Sequence, residues 1–186
     1  MTLPFDFHTH RLDAPAGAAI ISMPREWLLR PHSIELRPGC LYSAGIHPWW
    51  TASPTAPLML SQLPRLLALP QVVAVGECGI DPLRGASLDE QQQLLHSQLL
   101  LAKQFGLPVT LHVVRRFDII LHLHKHLAPH TTWTVHGFRG GAPLARQLTA
   151  AGLHLSFGPQ RRAEAWHATP PHMRHEETDE DPAKSI

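Results

Sequence analysis

The sequence predicts an α/β protein folded as a TIM-type (β/α) barrel, trimmed or incomplete, and three observations support this prediction. Short apolar runs alternate with helical patterns along the chain, which is typical of a parallel sheet with right-handed crossovers. Seven or eight of these runs qualify as strands, close to the number that a barrel requires. Histidines and acidic residues follow several of the runs, where barrels gather their functional groups. The length of 186 residues is below the usual range of about 200 or more. We therefore expect one reduced barrel domain over residues 1–186.

The composition is that of a folded globular protein. Hydrophobic residues make up 44% and charged residues 17%, which argues against wholesale disorder. A net charge of +1 provides no large basic field for non-specific duplex binding, so an acidic ligand must be held locally. Cys40 and Cys78 have no metal-binding or disulfide spacing. No basic-then-apolar leader and no apolar run of about 18 residues are visible. We therefore expect a cytoplasmic protein with no membrane partner.

The first half of the chain predicts four strands, recognised as apolar runs bounded by Gly or Pro, and two helices, recognised by apolar spacing of three to four residues. The first strand carries His8 and His10. The next elements are a strand at 18–23, a short helix at 25–30, a strand at 40–46, a helix at 58–68 kinked at Pro64, and a strand at 71–76 that presents Glu77. The segment between the first two strands is too short for a full helix.

The second half continues the alternation. Its longest helix is predicted at 87–106, where Ser87 or Asp89 can cap the start and Gly106 closes the end. The elements that follow are a strand at 108–111 ending at His112, a helix at 117–127, a strand at 133–135 ending at His136, a helix at 143–151, a strand at 153–157 and a short helix at 162–168.

The pair His8 and His10 is the first candidate metal site. Side chains two residues apart on a strand share a face, so both imidazoles can hold one ion. An isolated pair of this kind more often merely faces solvent, but further histidines and acids follow later strands. The residues expected to converge at the strands' C-terminal ends are His8, His10, His47, Glu77, His112, His136 and Asp179.

Six of these residues, all except His47, supply four imidazoles and two carboxylates. This set is typical of two divalent metal ions that share a bridging carboxylate and activate water for hydrolysis. Imidazole suits zinc, manganese or nickel, whereas magnesium prefers oxygen ligands, so the identity stays open among Mg, Mn, Zn and Ni. Either Glu77 or Asp179 is a candidate to take the proton of the attacking water.

Six motifs together resemble one known family. They are Asp6-Phe7-His8-Thr9-His10, Gly45-Ile46-His47-Pro48-Trp49, Val75-Gly76-Glu77-Cys78-Gly79-Ile80-Asp81, Pro108-Val109-Thr110-Leu111-His112, Val135-His136-Gly137-Phe138-Arg139-Gly140 and Glu177-Thr178-Asp179. In this order the chain resembles the TatD-like metal-dependent hydrolases, usually described as deoxyribonucleases. The resemblance implies that His8, His10 and Asp179 hold one metal ion, that His112 and His136 complete the other, and that Glu77 bridges them. It also implies that His47 holds the substrate phosphate.

Basic and aromatic residues near these motifs suggest how a nucleic acid is held. Arg115, Arg116 and Arg139 follow metal-site histidines and can bind phosphate oxygens in bidentate fashion, with rim salt bridges as the alternative. Trp49 and Trp50 either stack a base of a single strand or pack in the core.

Three departures from the family pattern qualify the resemblance. The segment between His10 and Gly45 is short, so a family helix is reduced or missing there. The chain stops at Ile186, where relatives continue through further helices. We therefore expect an uncovered C-terminal side through which self-association is possible, with no obligate protein partner inferred. The segment 170–176 is charged where relatives are apolar, which predicts a weak last strand and a loosely held Asp179.

The leading functional hypothesis is a metal-dependent hydrolase that cleaves phosphodiester bonds, a deoxyribonuclease or exonuclease acting on DNA ends or single strands. The preference for DNA rests on the resemblance alone. Two alternatives remain open. The same site serves a two-metal deacylase or amidohydrolase acting on a small ester or amide. A truncated, catalytically weak domain with a binding role is the other.

Overall fold

The computed structural model describes residues 5–180, and these form one sheet of eight parallel strands. Each strand pairs with the next in chain order. The strands are β1 Asp6–Thr9, β2 Ala19–Ser22, β3 Leu41–Ala44, β4 Val72–Ile80, β5 Val109–Val113, β6 Trp133–Val135, β7 His154–Phe157 and β8 Arg174–Glu176. Helices connect most of them, so the structure confirms the predicted (β/α) barrel.

The barrel is nearly closed, and the closure lies just beyond the end of β8. The backbone N–H of Asp179 donates to the carbonyl of His8 at 3.1 Å, and that of His10 donates to the carbonyl of Glu180 at 2.9 Å. Thr178 donates through its backbone N–H and its hydroxyl to the two carboxylate oxygens of Asp6, at 2.9 and 2.7 Å. The first strand is therefore tied to the segment that carries Asp179.

Six helices accompany the strands within residues 5–180. They are α1 Arg25–Leu29, α2 Ala56–Leu67, α3 Leu88–Phe105, α4 Phe117–Leu127, α5 Ala142–Ala150 and α6 Ala163–Ala168, with short 3-10 turns at 31–33, 48–50 and 171–173. The link between β1 and β2 contains no helix and the next link only the five-residue α1, as the short spacing predicted. None of the helices in the described part of the chain is long and apolar enough to cross a membrane.

Helix α3 has the ends that its sequence predicted. Ser87 and Glu90 form a reciprocal capping box at its start, and Gly106, at a φ of 66°, ends it in the left-handed conformation. Its buried Leu95 and Leu99 pack toward β4, and burial of each such side chain stabilises the fold by about 1.5–3 kcal/mol.

Strand β4 is longer than predicted. The sequence indicated an end at Gly76, because glycine commonly interrupts strands, but the strand continues through Glu77 to Ile80. A Cβ at Gly76 would lie 2.6 Å from the carbonyl oxygen of Thr110 on β5, and one at Gly79 would overlap the carbonyl of His112. The two glycines therefore permit a close approach of β4 to β5, so Glu77 lies within a strand rather than after one.

Candidate metal centre

One oxygen of the Glu77 carboxylate faces the two histidines of the first motif. Oε1 of Glu77 lies 2.9 Å from Nε2 of His10 and 3.2 Å from Nε2 of His8. Asp179 approaches the same pair from the end of the barrel, with Oδ1 at 3.6 Å from His10 and 3.8 Å from His8. The predicted ligands of the first ion thus lie together.

The other oxygen of Glu77 faces three imidazoles from later strands. Oε2 lies 2.7 Å from Nε2 of His136, 3.4 Å from Nδ1 of His112 and 3.4 Å from Nε2 of His47. Glu77 therefore lies between the two groups of histidines. Its residue is only 4% exposed, so the carboxylate is largely shielded from water. The structure therefore brings together all seven residues that were expected to converge.

Two buried glutamines of α3 position the neighbouring strand ends. The Gln98 side chain accepts from the backbone N–H of Ile46 at 2.6 Å and donates to its carbonyl, which fixes the residue before His47. Gln91 does the same for Asp81 just beyond β4, accepting at 2.8 Å and donating at 2.9 Å. Both side chains are about 1% exposed, so water does not compete for these hydrogen bonds. They hold the segments that follow β3 and β4 against α3.

The electrostatics of the cluster follow from one buried carboxylate among imidazoles. Burial raises the pKa of Glu77, but the charges of His136 and His8 and hydrogen bonds from His10 and His112 hold this pKa well below its usual range. Burial lowers the pKa of His136, and the carboxylates of Glu77 and Glu177 outweigh this effect and raise it well above the ordinary value.

His47 differs from the other imidazoles of the cluster. Burial lowers its pKa despite the opposing influence of Glu77, so its ring is neutral at neutral pH. Its Nδ1 accepts the backbone N–H of Trp49 at 3.2 Å, which places the ring proton on Nε2. His47 thus faces the centre as a hydrogen-bond donor rather than with a lone pair.

The donor set fits divalent metal ions. Three groups of ligand atoms each lie within 4.8 Å of one another: those of His8, His10 and Glu77, those of His47, Glu77 and His112, and those of His8, His136 and Asp179. Three buried ring nitrogens, His8 Nδ1, His112 Nε2 and His136 Nδ1, have no hydrogen-bond partner among the described residues. Imidazoles and carboxylates in this proportion are the ligands that transition metals prefer.

Two further acids, which the sequence analysis quoted in motifs without a role, lie behind the centre. Glu177 accepts the backbone N–H of Gly137 at 2.5 Å and the hydroxyl of Ser156, and its Oε1 lies 3.7 Å from Nδ1 of His136. Asp81 accepts the indole N–H of Trp49 at 2.6 Å and lies 3.8 Å from Nε2 of His112. Acids that support metal-binding histidines in this way orient the ring and its tautomer.

The centre opens into two cavities that share Trp49, His112, His136 and Asp179. The first has a volume of about 470 Å³ and is also lined by His10, His47 and Trp50. The second has a volume of about 940 Å³ and carries Arg84, Arg115 and Arg139. Two of the three predicted arginines therefore lie beside the centre, together with Arg84, which the sequence analysis did not identify.

Arg116 has a different environment. Its guanidinium forms two hydrogen bonds with the carboxylate of Asp118, at 2.8 and 3.0 Å, and it is not among the lining residues of either cavity. This geometry is the rim salt bridge that the sequence analysis gave as the alternative for these arginines.

The sequence of this chain is similar to those of known metal-dependent hydrolases and exonucleases. The model of the TatD related DNase family matches residues 22–179. The uncharacterized metal-dependent hydrolase YjjV of Escherichia coli (strain K12) is 38% identical over 123 residues, which cover 63% of this chain and 47% of that protein. The 3'-5' ssDNA/RNA exonuclease TatD of Erwinia billingiae (strain Eb661) is 38% identical over 130 residues, which cover 65% of this chain and 47% of that protein.

A solved structure extends the likeness to the fold. The crystal structure of YjjV, a TatD homologue from Escherichia coli K12, matches with a TM-score of 0.75 and 29% identity over 95% of this chain and 78% of that one. The chain spans about half the length of the curated relatives that it matches. The match to the family model begins after β1, so it covers β3 to β8 and the motifs that carry His47, Glu77, His112, His136 and Asp179, but not His8 and His10. The chain belongs to the TatD related DNase family.

Proposed function

We propose that this chain is a metal-dependent hydrolase of phosphodiester bonds that acts on single-stranded ends of nucleic acid. The observation that carries the proposal is the buried Glu77 carboxylate, which has five imidazole nitrogens within 3.4 Å and lies beside a cavity lined by three arginines. Relatives named as 3'-5' exonucleases of single-stranded DNA and RNA support the substrate class.

The proposed metal ligands form two groups, one near each carboxylate oxygen of Glu77. His8, His10 and Asp179 would hold one ion, His112 and His136 would hold the other, and Glu77 would bridge them, in keeping with the distances on each side of its carboxylate. Bound divalent ions supply Lewis acidity, which lowers the pKa of a water molecule and polarises the phosphoryl group.

Asp179 is the better candidate for the general base. Its side chain is 29% exposed and lines both cavities, whereas Glu77 is enclosed by nitrogens. In the hydrolysis the water oxygen bonds to phosphorus, the phosphorus–oxygen bond to the departing sugar breaks, and Asp179 takes the water proton. The departing sugar oxygen gains a proton from solvent.

The substrate phosphate is held by neutral and cationic donors. His47 presents a ring N–H to the first cavity, and Arg115 and Arg139 line the second. We do not assign this role to Arg116, because its guanidinium is paired with Asp118. One guanidinium group can bind two phosphate oxygens at once. Arg115 and Arg139 have no carboxylate partner among residues 5–180, so they favour a phosphodiester over a neutral ester or amide.

The test is hydrolysis of fluorescent single-stranded DNA and RNA by metal-stripped protein, with magnesium, manganese and zinc restored separately. Labels at either end report the direction of attack. We expect metal-dependent cleavage that Glu77→Ala and His136→Ala abolish. Cleavage that survives in both variants, or metal binding without cleavage of any oligonucleotide, would overturn the proposal, and the second result would direct attention to neutral esters or to a binding role.

A further inference from the structure

The indole of Trp49 is fixed in place and covered on one face by Arg84. Its ring N–H donates to Asp81 at 2.6 Å, and its backbone N–H donates to His47 at 3.2 Å. The guanidinium carbon of Arg84 lies 4.3 Å from the ring centroid. The sequence suggests Trp49 as a surface on which a base stacks. Arg84 occupies one face of the ring, so a base cannot stack there. Arg84 is itself an exposed residue.

The loop that carries Arg84 is rigidly supported. Asp81 accepts the backbone N–H of Leu83 at 2.9 Å, and the buried Gln91 donates to the carbonyl of Arg84 at 2.8 Å. On the other side, the hydroxyl of Thr51 accepts the backbone N–H of Ala86 at 2.9 Å. Because α3 and the turn after His47 both hold this loop, the backbone from which Arg84 projects is fixed, and the guanidinium itself contacts the ring of Trp49.

Arg84 also has no acidic partner among residues 5–180. The arginines that pair with carboxylates in this part of the chain are Arg11, Arg116 and Arg162. Arg84, Arg115 and Arg139 instead line the same 940 Å³ cavity, which adjoins the metal centre through His112, His136 and Asp179. None of these three guanidinium groups has a carboxylate partner within residues 5–180, and their shared cavity indicates an anionic, extended ligand.

We propose that the Trp49–Arg84 stack is a nucleobase platform, and that a base next to the cleaved phosphate stacks on the outer face of the Arg84 guanidinium. The planar guanidinium stacks on aromatic rings and on bases alike, so Trp49, Arg84 and the base form three layers. Arg115 and Arg139 then bind the phosphates on either side. This inference rests on the proposed nucleic-acid substrate, and it adds the site where a base, rather than a phosphate, is bound.

The experiment measures binding of a fluorescent single-stranded oligonucleotide by fluorescence anisotropy, with metal-stripped protein so that nothing is cleaved. Stacking of a base on an aromatic side chain commonly changes affinity by about fivefold or more, and the Arg84 guanidinium layered on Trp49 should contribute on the same scale. We expect Arg84→Ala and Arg84→Lys both to weaken binding at least about fivefold, since lysine keeps the charge but loses the planar group. Arg146→Ala is the matched control, because Arg146 is an exposed arginine of α5 that lines neither cavity.

Oligonucleotides with one abasic nucleotide, moved position by position from the end, identify the stacked base. At one position the abasic substitution should weaken binding of the unmodified protein and abolish its advantage over Arg84→Lys. Equal affinity of Arg84→Lys and the unmodified protein on every oligonucleotide would show a phosphate contact and overturn the platform. Absence of binding by the unmodified protein would overturn it as well. Binding with the expected pattern but no hydrolysis on metal addition would leave the platform standing and refute the proposed reaction instead.

Discussion

At the scale of single residues, Glu177 is a buried acid that lies behind His136, one of the proposed metal ligands. Burial raises the pKa of Glu177. The hydrogen bond and charge of His136, the charge of His8 and the hydroxyl of Ser156 outweigh burial and lower this pKa below its ordinary value, so Glu177 is ionised at neutral pH. Its Oε1 lies 3.7 Å from Nδ1 of His136, on the side of the ring away from Glu77. We infer that Glu177 keeps the ring proton on Nδ1 and the lone pair on Nε2.

Glu177→Gln should therefore weaken metal binding or metal-dependent activity by about 10- to 100-fold with little change in melting temperature. Glutamine keeps the size of the side chain, and its amide still bonds to Gly137 and Ser156, so the loss is that of the charge beside His136. The measurement is titration of the metal-stripped protein with manganese. Glu176→Gln is the control, since Glu176 is the adjacent, exposed glutamate. Equal affinities in the two variants would contradict the positioning role.

At the scale of elements, the pairing of β7 with β8 contains two neighbouring histidines. Nδ1 of His154 lies 3.0 Å from Nε2 of His175, and His175 stacks on Phe7 of β1 with ring centroids 4.6 Å apart. Burial lowers the pKa of both imidazoles. The charge of His172 lowers that of His154 further, the charge of His154 lowers that of His175, and Glu177 opposes the latter shift. These groups join the three strands at which the barrel closes.

The lowered pKa values make this closure sensitive to acid. In the unfolded chain a histidine has a pKa of about 6.5. Between that value and the lower pKa of the folded state the unfolded chain binds more protons, so the free energy of unfolding falls as the pH falls through this interval. We expect the melting temperature of His175→Gln to fall less than that of the unmodified protein between pH 7.5 and 5.5. His96→Gln, a change at an exposed residue of α3, should follow the unmodified protein. An equally steep fall in His175→Gln would contradict this account.

Strand order and connection are the parts of the fold that the sequence predicts best. Alternating apolar runs and helical patterns predict seven or eight parallel strands, of which the structure has eight, and parallel strands bring their C-terminal ends to one side of the barrel. Widely separated residues such as His8 and His136 are therefore expected in one cluster, and the structure places them there. The length of β4 was missed, because a glycine that ends a strand and one that permits close packing against β5 look alike in a sequence.

Contacts between side chains that are distant in the sequence could not be predicted, because they depend on how separate elements pack together. Arg84 and Trp49 are 35 positions apart and meet only because α3 and the turn after β3 lie side by side. The last strand was expected to be weak, yet the Asp6–Thr178 hydrogen bonds tie the segment that follows it to β1 and so position Asp179. Local charge alone did not predict that support. Arg116 is paired with Asp118, whereas its neighbour Arg115 lines the cavity beside the centre, and the sequence does not distinguish the two.

At the scale of the whole molecule, the strands of the barrel converge on one carboxylate. Glu77 of β4 is surrounded by His8 of β1, His112 of β5 and residues that follow β1, β3, β6 and β8. The reduced helical cover between β1 and β3 does not interrupt this arrangement. The central proposal is therefore that Glu77 would bridge two divalent ions, each of which would be held by histidines from a different side of the barrel.

The most direct test is electron paramagnetic resonance of the metal-stripped protein titrated with manganese. The account predicts two ions per chain with the spectrum of a magnetically coupled pair, and loss of the coupling in Glu77→Gln. A single ion per chain, or two ions whose spectra stay those of isolated manganese at saturation, would contradict it.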